Sequence, residues 1–138
     1  MLLNCHTYYS LRYGTLSTQQ LVDEAISMGH KAIALTDINN TSAAMDFICY
    51  AKQRGIKPII GVEFRNGNSL LYIGIAKNKD GFEEINRHLT SHLLHGNHLR
   101  KRAPEFNNVS IIYPMGSWEP SQLNENEFLG LRINERWQ

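Results

Sequence analysis

The sequence predicts an α/β protein with parallel strands joined by crossover helices. Three observations predict this class. A short, continuously apolar run at residues 32–35 (AIAL) is typical of a parallel strand buried on both faces. Apolar residues before and after that run recur at helical spacing. The resulting order of strand, helix, strand, helix, strand favours right-handed parallel crossovers.

The first elements are predicted from local signals. Residues 2–5 form a short apolar entry strand. Ser17 and Gln20 have the spacing of a capping box, in which each side chain satisfies the other residue's free backbone N–H. Gly29 suits the left-handed residue that ends a helix. We therefore expect a helix between Ser17 and Gly29, followed by the strand at residues 32–35.

Further elements follow in the same manner. A second helix is predicted to start at Asn40, Thr41 or Ser42 and to end at Gly55. The later predictions are a strand at 56–62, a turn at 66–68 (NGN), a strand at 70–75, a helix from 78 or 79 to 94, and strands at 109–113 and 128–133. We expect residues 1–95 to form the core and residues 96–138 a continuation with two further strands.

The composition excludes several classes of protein. Lysine and arginine total 14, and aspartate and glutamate total 13, so the net charge of +1 predicts little direct binding to DNA. The apolar runs are much shorter than the roughly 20 residues of a membrane span, and no secretory signal precedes them. Cys5 and Cys49 lie far apart, which favours a reduced, cytoplasmic protein.

Three polar residues follow predicted parallel strands. His6, Asp37 and Glu63 stand after the first, second and third strand, at the ends where α/β folds collect their ligands. One imidazole and two carboxylates are plausible ligands for Zn or Mn. Singly, each has an ordinary alternative: Asp37 as a helix cap, His6 as a packed histidine, and Glu63 as a solvated side chain.

Two further motifs lie near the end of the third predicted helix. His88, His92 and His95 fall on one helix face, but Leu89 occupies the place where an HExxH zinc motif needs glutamate. We interpret this stripe as an exposed or interface-facing surface. The basic residues at 98–102 lack interleaved aromatics for base stacking, which favours a solvated loop.

Four ordered motifs resemble the polymerase and histidinol phosphatase (PHP) family. Residues 4–11 (NCHTYYSL) with Gly14 resemble its opening motif, H-x-H-[ST]-x-[YF]-S-L-x-D-G. Residues 32–37 (AIALTD) and 55–63 (GIKPIIGVE) are similar to its next two motifs, and residues 75–82 (IAKNKDGF) to a fourth. The motif residues are most similar to those of the branch found at the N-terminus of bacterial DNA polymerase III alpha subunits.

This resemblance implies a partial or distorted PHP-type β/α barrel, with a metal cluster whose ions would activate water to hydrolyse phosphoesters. Several of the expected ligands differ. His6, Asp37 and Glu63 remain, whereas other residues stand at four expected ligand positions: Asn4, Tyr13, Ile38 and Leu71. Isoleucine and leucine cannot ligate, and asparagine is a weak neutral ligand. We therefore expect no catalytic residue, no tightly bound cofactor, and at most weak Zn or Mn at the remnant.

The resemblance also implies partners. We expect an inactive structural or docking domain, the leading part of a longer polymerase that itself uses Mg. Its partners would be the remaining polymerase domains and a proofreading exonuclease subunit, with no membrane contact and with self-association of the isolated piece as an open alternative. The other functional alternatives are a stand-alone metal-dependent PHP phosphoesterase and a non-enzymatic interaction module.

Overall fold

The computed structural model describes residues 1–96 and 98–131, which form one six-stranded sheet with helices packed against it, and so confirms the α/β class. No helix in this described part is long and apolar enough to cross a membrane. The strands lie side by side in chain order. The elements are β1 (Leu2–Cys5), α1 (Thr18–Ser27), β2 (Ala32–Leu35), α2 (Ala44–Gln53), β3 (Lys57–Asn66), β4 (Ser69–Ala76), α3 (Lys79–His95), β5 (Val109–Pro114), a 3-10 turn (Pro120–Gln122) and β6 (Glu127–Gly130).

Strand direction follows the prediction except at β4. Strands β1, β2 and β3 are parallel, as are β5 and β6, but β4 runs antiparallel to both β3 and β5. The cause is the predicted turn: Asn66 pairs with Ser69, so only Gly67 and Asn68 connect the two strands. A two-residue loop can join only antiparallel neighbours, and Gly67 supplies the left-handed backbone, with φ 55°.

The capping box predicted for α1 is confirmed. The Ser17 hydroxyl accepts a hydrogen bond from the Gln20 backbone N–H, and the Gln20 side chain accepts one from the Ser17 backbone N–H. Gly29 follows the helix with φ 75°, a left-handed conformation that glycine adopts without steric cost.

Helix α2 begins later than predicted. Its first residue is Ala44, whereas the sequence favoured a start at residues 40–42. The Asn40 side-chain oxygen accepts a hydrogen bond from the Ser42 backbone N–H, and the Thr41 carbonyl accepts one from the Ala44 N–H. These bonds hold residues 40–43 in a turn, because short polar side chains compete for backbone groups near a helix start.

Two apolar clusters lie on the same face of β3. Ile60 packs against the cluster under α1 and α2, while Val62 and Phe64 belong to the cluster that includes Ile85 and Leu89 of α3. Alternate residues of a strand share one face, so all three helices cover this outer face. The intervening residues of β3 therefore point to the opposite, inner face, where the predicted site residues are found.

Both strands predicted after residue 95 form and extend the same sheet. Strand β5 pairs with β4, and β6 pairs with β5. The predicted final strand reached residue 133, and its last two residues lie outside the described part of the chain. The division at residue 95 stays a prediction.

The start of α3 gives a test of this packing. A Cβ added at Gly81 would lie 2.1 Å from the Asn108 carbonyl oxygen, closer than real contacts allow. Although alanine favours helices by about 1 kcal/mol over glycine, we expect Gly81→Ala to lower the free energy of unfolding by roughly 1–3 kcal/mol in urea titrations. Thr90→Ala, on the exposed side of the same helix, is the control and should change it little. Equal stability of both variants would contradict this packing.

Candidate functional site

Asp37 follows β2, and both of its carboxylate oxygens accept hydrogen bonds from the loop after β1. Its carboxylate accepts hydrogen bonds from the Thr7 backbone N–H, the Thr7 hydroxyl and the Ser10 hydroxyl, each at 2.7 Å. The Ser10 oxygen in turn accepts a bond from the Ile38 N–H at 2.9 Å. Asp37, Thr7 and Ser10 are all buried. Asp37 therefore anchors the β1–α1 loop across about 30 residues of sequence.

Glu63 lies within β3, which continues to Asn66, and not after the strand as the sequence predicted. Its side chain is on the inner face and has no exposed surface. Its Oε2 accepts hydrogen bonds from Asn4 Nδ2 at 2.9 Å and from His6 Nε2 at 3.0 Å. Its Oε1 accepts a bond from Arg65 Nε, which makes a buried ion pair. Burial alone would raise the pKa of Glu63, but the bonds from His6, Asn4 and Arg65 outweigh burial and hold the pKa at about 2.

Arg65 is held from several sides. Because it follows Glu63 by two residues in β3, both side chains lie on the same face of the strand. Its Nη1 donates to the Tyr13 hydroxyl and to the Asn68 carbonyl, each at 3.2 Å. Its guanidinium carbon lies 4.5 Å from the centre of the Tyr13 ring, a cation–π arrangement. Arg65 is therefore a fixed internal cation beside Glu63.

Asn4 extends this arrangement across three strands. Its amide nitrogen donates to Glu63 on β3, while its amide oxygen accepts a hydrogen bond at 2.6 Å from Thr36, just after β2. A neutral side chain on β1 thus links Thr36, after β2, with Glu63 on β3. We call the linked side chains the inner network; its members are Asn4, His6, Tyr13, Thr36, Glu63 and Arg65.

The structure divides the three predicted ligands. His6 and Glu63 come together, but Asp37 directs both of its oxygens to Thr7 and Ser10. In residues 1–96 and 98–131 no three His, Cys, Asp or Glu side chains are grouped so as to hold a metal ion. Because the Glu63 oxygens face an amide, an imidazole and a guanidinium, the donor set as arranged does not fit a multi-metal cluster.

The other positions expected to carry ligands have different roles. Tyr13 covers Arg65, and Ile38 forms a parallel backbone bridge with Glu63. A register shift between β3 and β4 pairs Arg65 with Leu70. Leu70 consequently lines a groove on the inner face of the sheet, together with Asn4. Leu71 instead packs against the cluster under α3. The irregularity in β4 thus places Leu71 on the helix side of the sheet.

Arg65, Thr7 and Ser10 were not predicted as site residues. The position of Arg65, two residues beyond Glu63 in a strand-like run, was the available signal, since alternation places both on one face. The contacts of Thr7 and Ser10 with Asp37 had no comparable local signal, because they depend on how the β1–α1 loop folds back.

Glu63→Gln tests the energetic importance of the ion pair. Removing one partner leaves Arg65 as an uncompensated buried charge, so we expect a loss of roughly 3–5 kcal/mol in the free energy of unfolding, measured by urea denaturation. The matched control is Glu83→Gln, because Glu83 pairs with Arg87 on the exposed side of α3. That variant should lose less than about 1 kcal/mol. Similar losses in both variants would show that burial of the Glu63–Arg65 pair is unimportant.

The low pKa of Glu63 also predicts a pH dependence. A carboxyl whose folded pKa lies near 2 and whose ordinary value is 4.5 stabilises the fold above about pH 4.5. This contribution is lost as the pH falls from there toward 2, because the unfolded chain then binds the proton more tightly. We expect a loss of roughly 1–3 kcal/mol between about pH 5 and pH 2.5, and a shallower loss in Glu63→Gln. Parallel slopes in urea titrations of both proteins would contradict this assignment.

Comparison with known proteins reveals several relatives. A DNA polymerase III subunit alpha from Mycoplasma genitalium is 33% identical over 98% of this chain, and one from Ureaplasma parvum is 39% identical over 60%. The chain spans only 16% and 8% of their respective lengths.

Solved structures share the fold. A candidate metal-dependent phosphoesterase from Bifidobacterium adolescentis has a TM-score of 0.53 at 20% identity, covering 67% of this chain and 31% of its own. An amidohydrolase from Chromobacterium violaceum, with bound sulfate and no metal, has a TM-score of 0.53 at 25% identity, covering 65% and 32%. The PHP domain family matches residues 3–113. Because this match covers most of the chain, it shows that the chain belongs to the PHP domain family.

Proposed function

We propose that this chain is the PHP domain of a DNA polymerase III alpha subunit, and that it acts there as a structural module without metal-dependent hydrolysis of its own. The observation that carries the proposal is the buried pair of Glu63 and Arg65. The similarity to polymerase alpha subunits supports the parent, and the inner network supports the structural role.

The chemistry of the inner network explains why hydrolysis would be lost. A divalent cation needs several free anionic or imidazole donors, but Glu63 already accepts bonds at both oxygens. The guanidinium of Arg65 supplies positive charge where a metal would have to supply it, and like charges repel at this range. We therefore assign no catalytic residue. The Mg²⁺-dependent polymerisation of the parent would use residues outside this chain.

The proposed partners follow from exposed apolar groups. The loop after β1 exposes Tyr8, Tyr9 and Leu11, and Leu11 is 81% accessible. Such a patch suits a protein contact better than a nucleic acid, given the net charge of +1. We propose that it contacts the remaining polymerase domains or a proofreading exonuclease subunit. In the complete polymerase, Leu11→Ser should weaken the association of the exonuclease subunit or lower the thermal stability; no change in either would exclude the loop as a contact.

Isothermal titration with Zn²⁺ and with Mn²⁺ tests the proposed loss of the metal cluster. We expect no stoichiometric binding to the 138-residue chain at micromolar concentration. Arg65→Gln keeps Glu63 but removes the guanidinium, so this variant should bind a metal ion more tightly than the parent chain does.

Two results would overturn the proposal. One is sub-micromolar binding of two or more metal ions to the unaltered chain. The other is metal-dependent phosphodiester cleavage that His6→Ala abolishes. Either result would favour the alternative of a metal-dependent phosphoesterase.

A further inference from the structure

A second candidate site lies on the outer face of the sheet. A cavity of about 490 Å³ opens between α3 and the segment 98–104 that follows it. Tyr72 of β4 contributes to its wall and belongs to the cluster under α3. The cavity is thus separated by the sheet from Glu63 and the inner network, so a ligand bound there is independent of the proposed structural role.

Two motifs from the sequence meet at this cavity. His88 and His92 contribute from successive turns of α3, and His98, Arg100 and Arg102 contribute from the segment 98–104. No aspartate or glutamate is found among the described residues that line it. From the sequence, the histidine stripe was interpreted as an exposed or interface-facing surface and the basic segment as a solvated loop. In the structure, residues of both line one positively charged concavity.

Several lining groups are already fixed in place. Arg102 donates to Glu127 and to the Gln122 carbonyl, and its guanidinium lies 4.9 Å from the centre of the Trp118 ring. His88 shares a hydrogen bond of 3.0 Å with the Tyr72 hydroxyl. Burial, followed by the nearby His92, lowers the pKa of His88, so this imidazole is mainly neutral at pH 7. These contacts fix the side chains of Arg102 and His88 in the cavity lining.

The remaining charge is supplied mainly by Arg100. In the described part of the chain no carboxylate lies within 4.0 Å of its guanidinium, in contrast to Arg102. His92 and His98 also line the cavity and add donors to it. A guanidinium with neighbouring imidazoles matches the geometry and charge of a phosphate group.

A metal ion is a poorer match for these histidines. One nitrogen of His88 is already bonded to Tyr72, and the described residues contain no group of three ligands arranged around a metal. The other walls of the cavity are apolar, formed by Leu99, Ala103 and Pro104. Pockets that combine an apolar wall with a few convergent polar groups are typical of small organic ligands.

We propose that this cavity binds a small organic phosphate, with the phosphate group on Arg100 and His92 and the organic part against Leu99 and Ala103. Inorganic phosphate shares the anionic chemistry but cannot use the apolar wall. The two ligands therefore distinguish the charged part of the site from the apolar part.

Titrations followed by two-dimensional amide NMR test this site on the 138-residue chain. The probes are adenosine monophosphate and inorganic phosphate, at constant ionic strength. We expect saturable shifts confined to residues 88–92 and 98–104, and binding of adenosine monophosphate at least about threefold tighter than that of phosphate, since even modest apolar burial exceeds this factor. Equal affinity for both ligands would overturn the role of the apolar wall.

Charge variants complete the test. Arg100→Gln should weaken adenosine monophosphate binding about tenfold, the range expected for one charge-assisted contact, and His92→Gln about threefold. Lys57→Gln, an exposed residue at the start of β3, is the matched control and should bind like the parent chain. An unchanged amide spectrum shows that each variant is folded. Unaltered affinity in Arg100→Gln, or shifts spread over basic residues throughout the chain, would overturn the proposal.

Discussion

A carboxylate without exposed surface needs a compensating charge, and the pairing of Glu63 with Arg65 meets that need from within a single strand. The other contacts of the inner face follow from this pair. Asn4 and His6 satisfy the second carboxylate oxygen, and Tyr13 covers the guanidinium. Among the described residues, no buried side-chain nitrogen or oxygen lacks a hydrogen-bond partner. The charges and hydrogen-bonding groups of the inner network are therefore satisfied by its own side chains.

The two faces of strand β3 carry chemically different side chains. Its outer side chains, such as Val62 and Phe64, join the apolar clusters beneath the helices, while Glu63 and Arg65 carry charge on the other side. A strand with this alternation contributes to the hydrophobic core and to the polar network at once. Consequently the backbone that carries Glu63 and Arg65 is held in place by the apolar clusters, because close-packed interiors allow little movement.

The extent of sequence-based prediction depended on how local the signals were. The capping box at Ser17 and Gln20 located α1, and the turn at residues 66–68 implied the antiparallel hairpin that the general expectation of parallel strands overlooked. Contacts between residues far apart in the sequence were harder to predict. The alternation of β3 places Arg65 beside Glu63, but only the curled sheet brings Asn4 and Tyr13 to the same point. Likewise, the loop that saturates Asp37 approaches it from 27 to 30 residues away.

The cation–π contact of Tyr13 with Arg65 also limits what single substitutions could do at the proposed structural site. A histidine placed at Ile38 alone would add a ligand beside a fixed positive charge. An acid placed at Tyr13 would uncover the Arg65 guanidinium and also compete with Glu63 for it. Neither single step improves metal affinity while Arg65 remains. Changing Arg65 first isolates Glu63 from its cation. Under the proposed structural role, a change toward metal binding that begins at Arg65 therefore starts from a less stable protein.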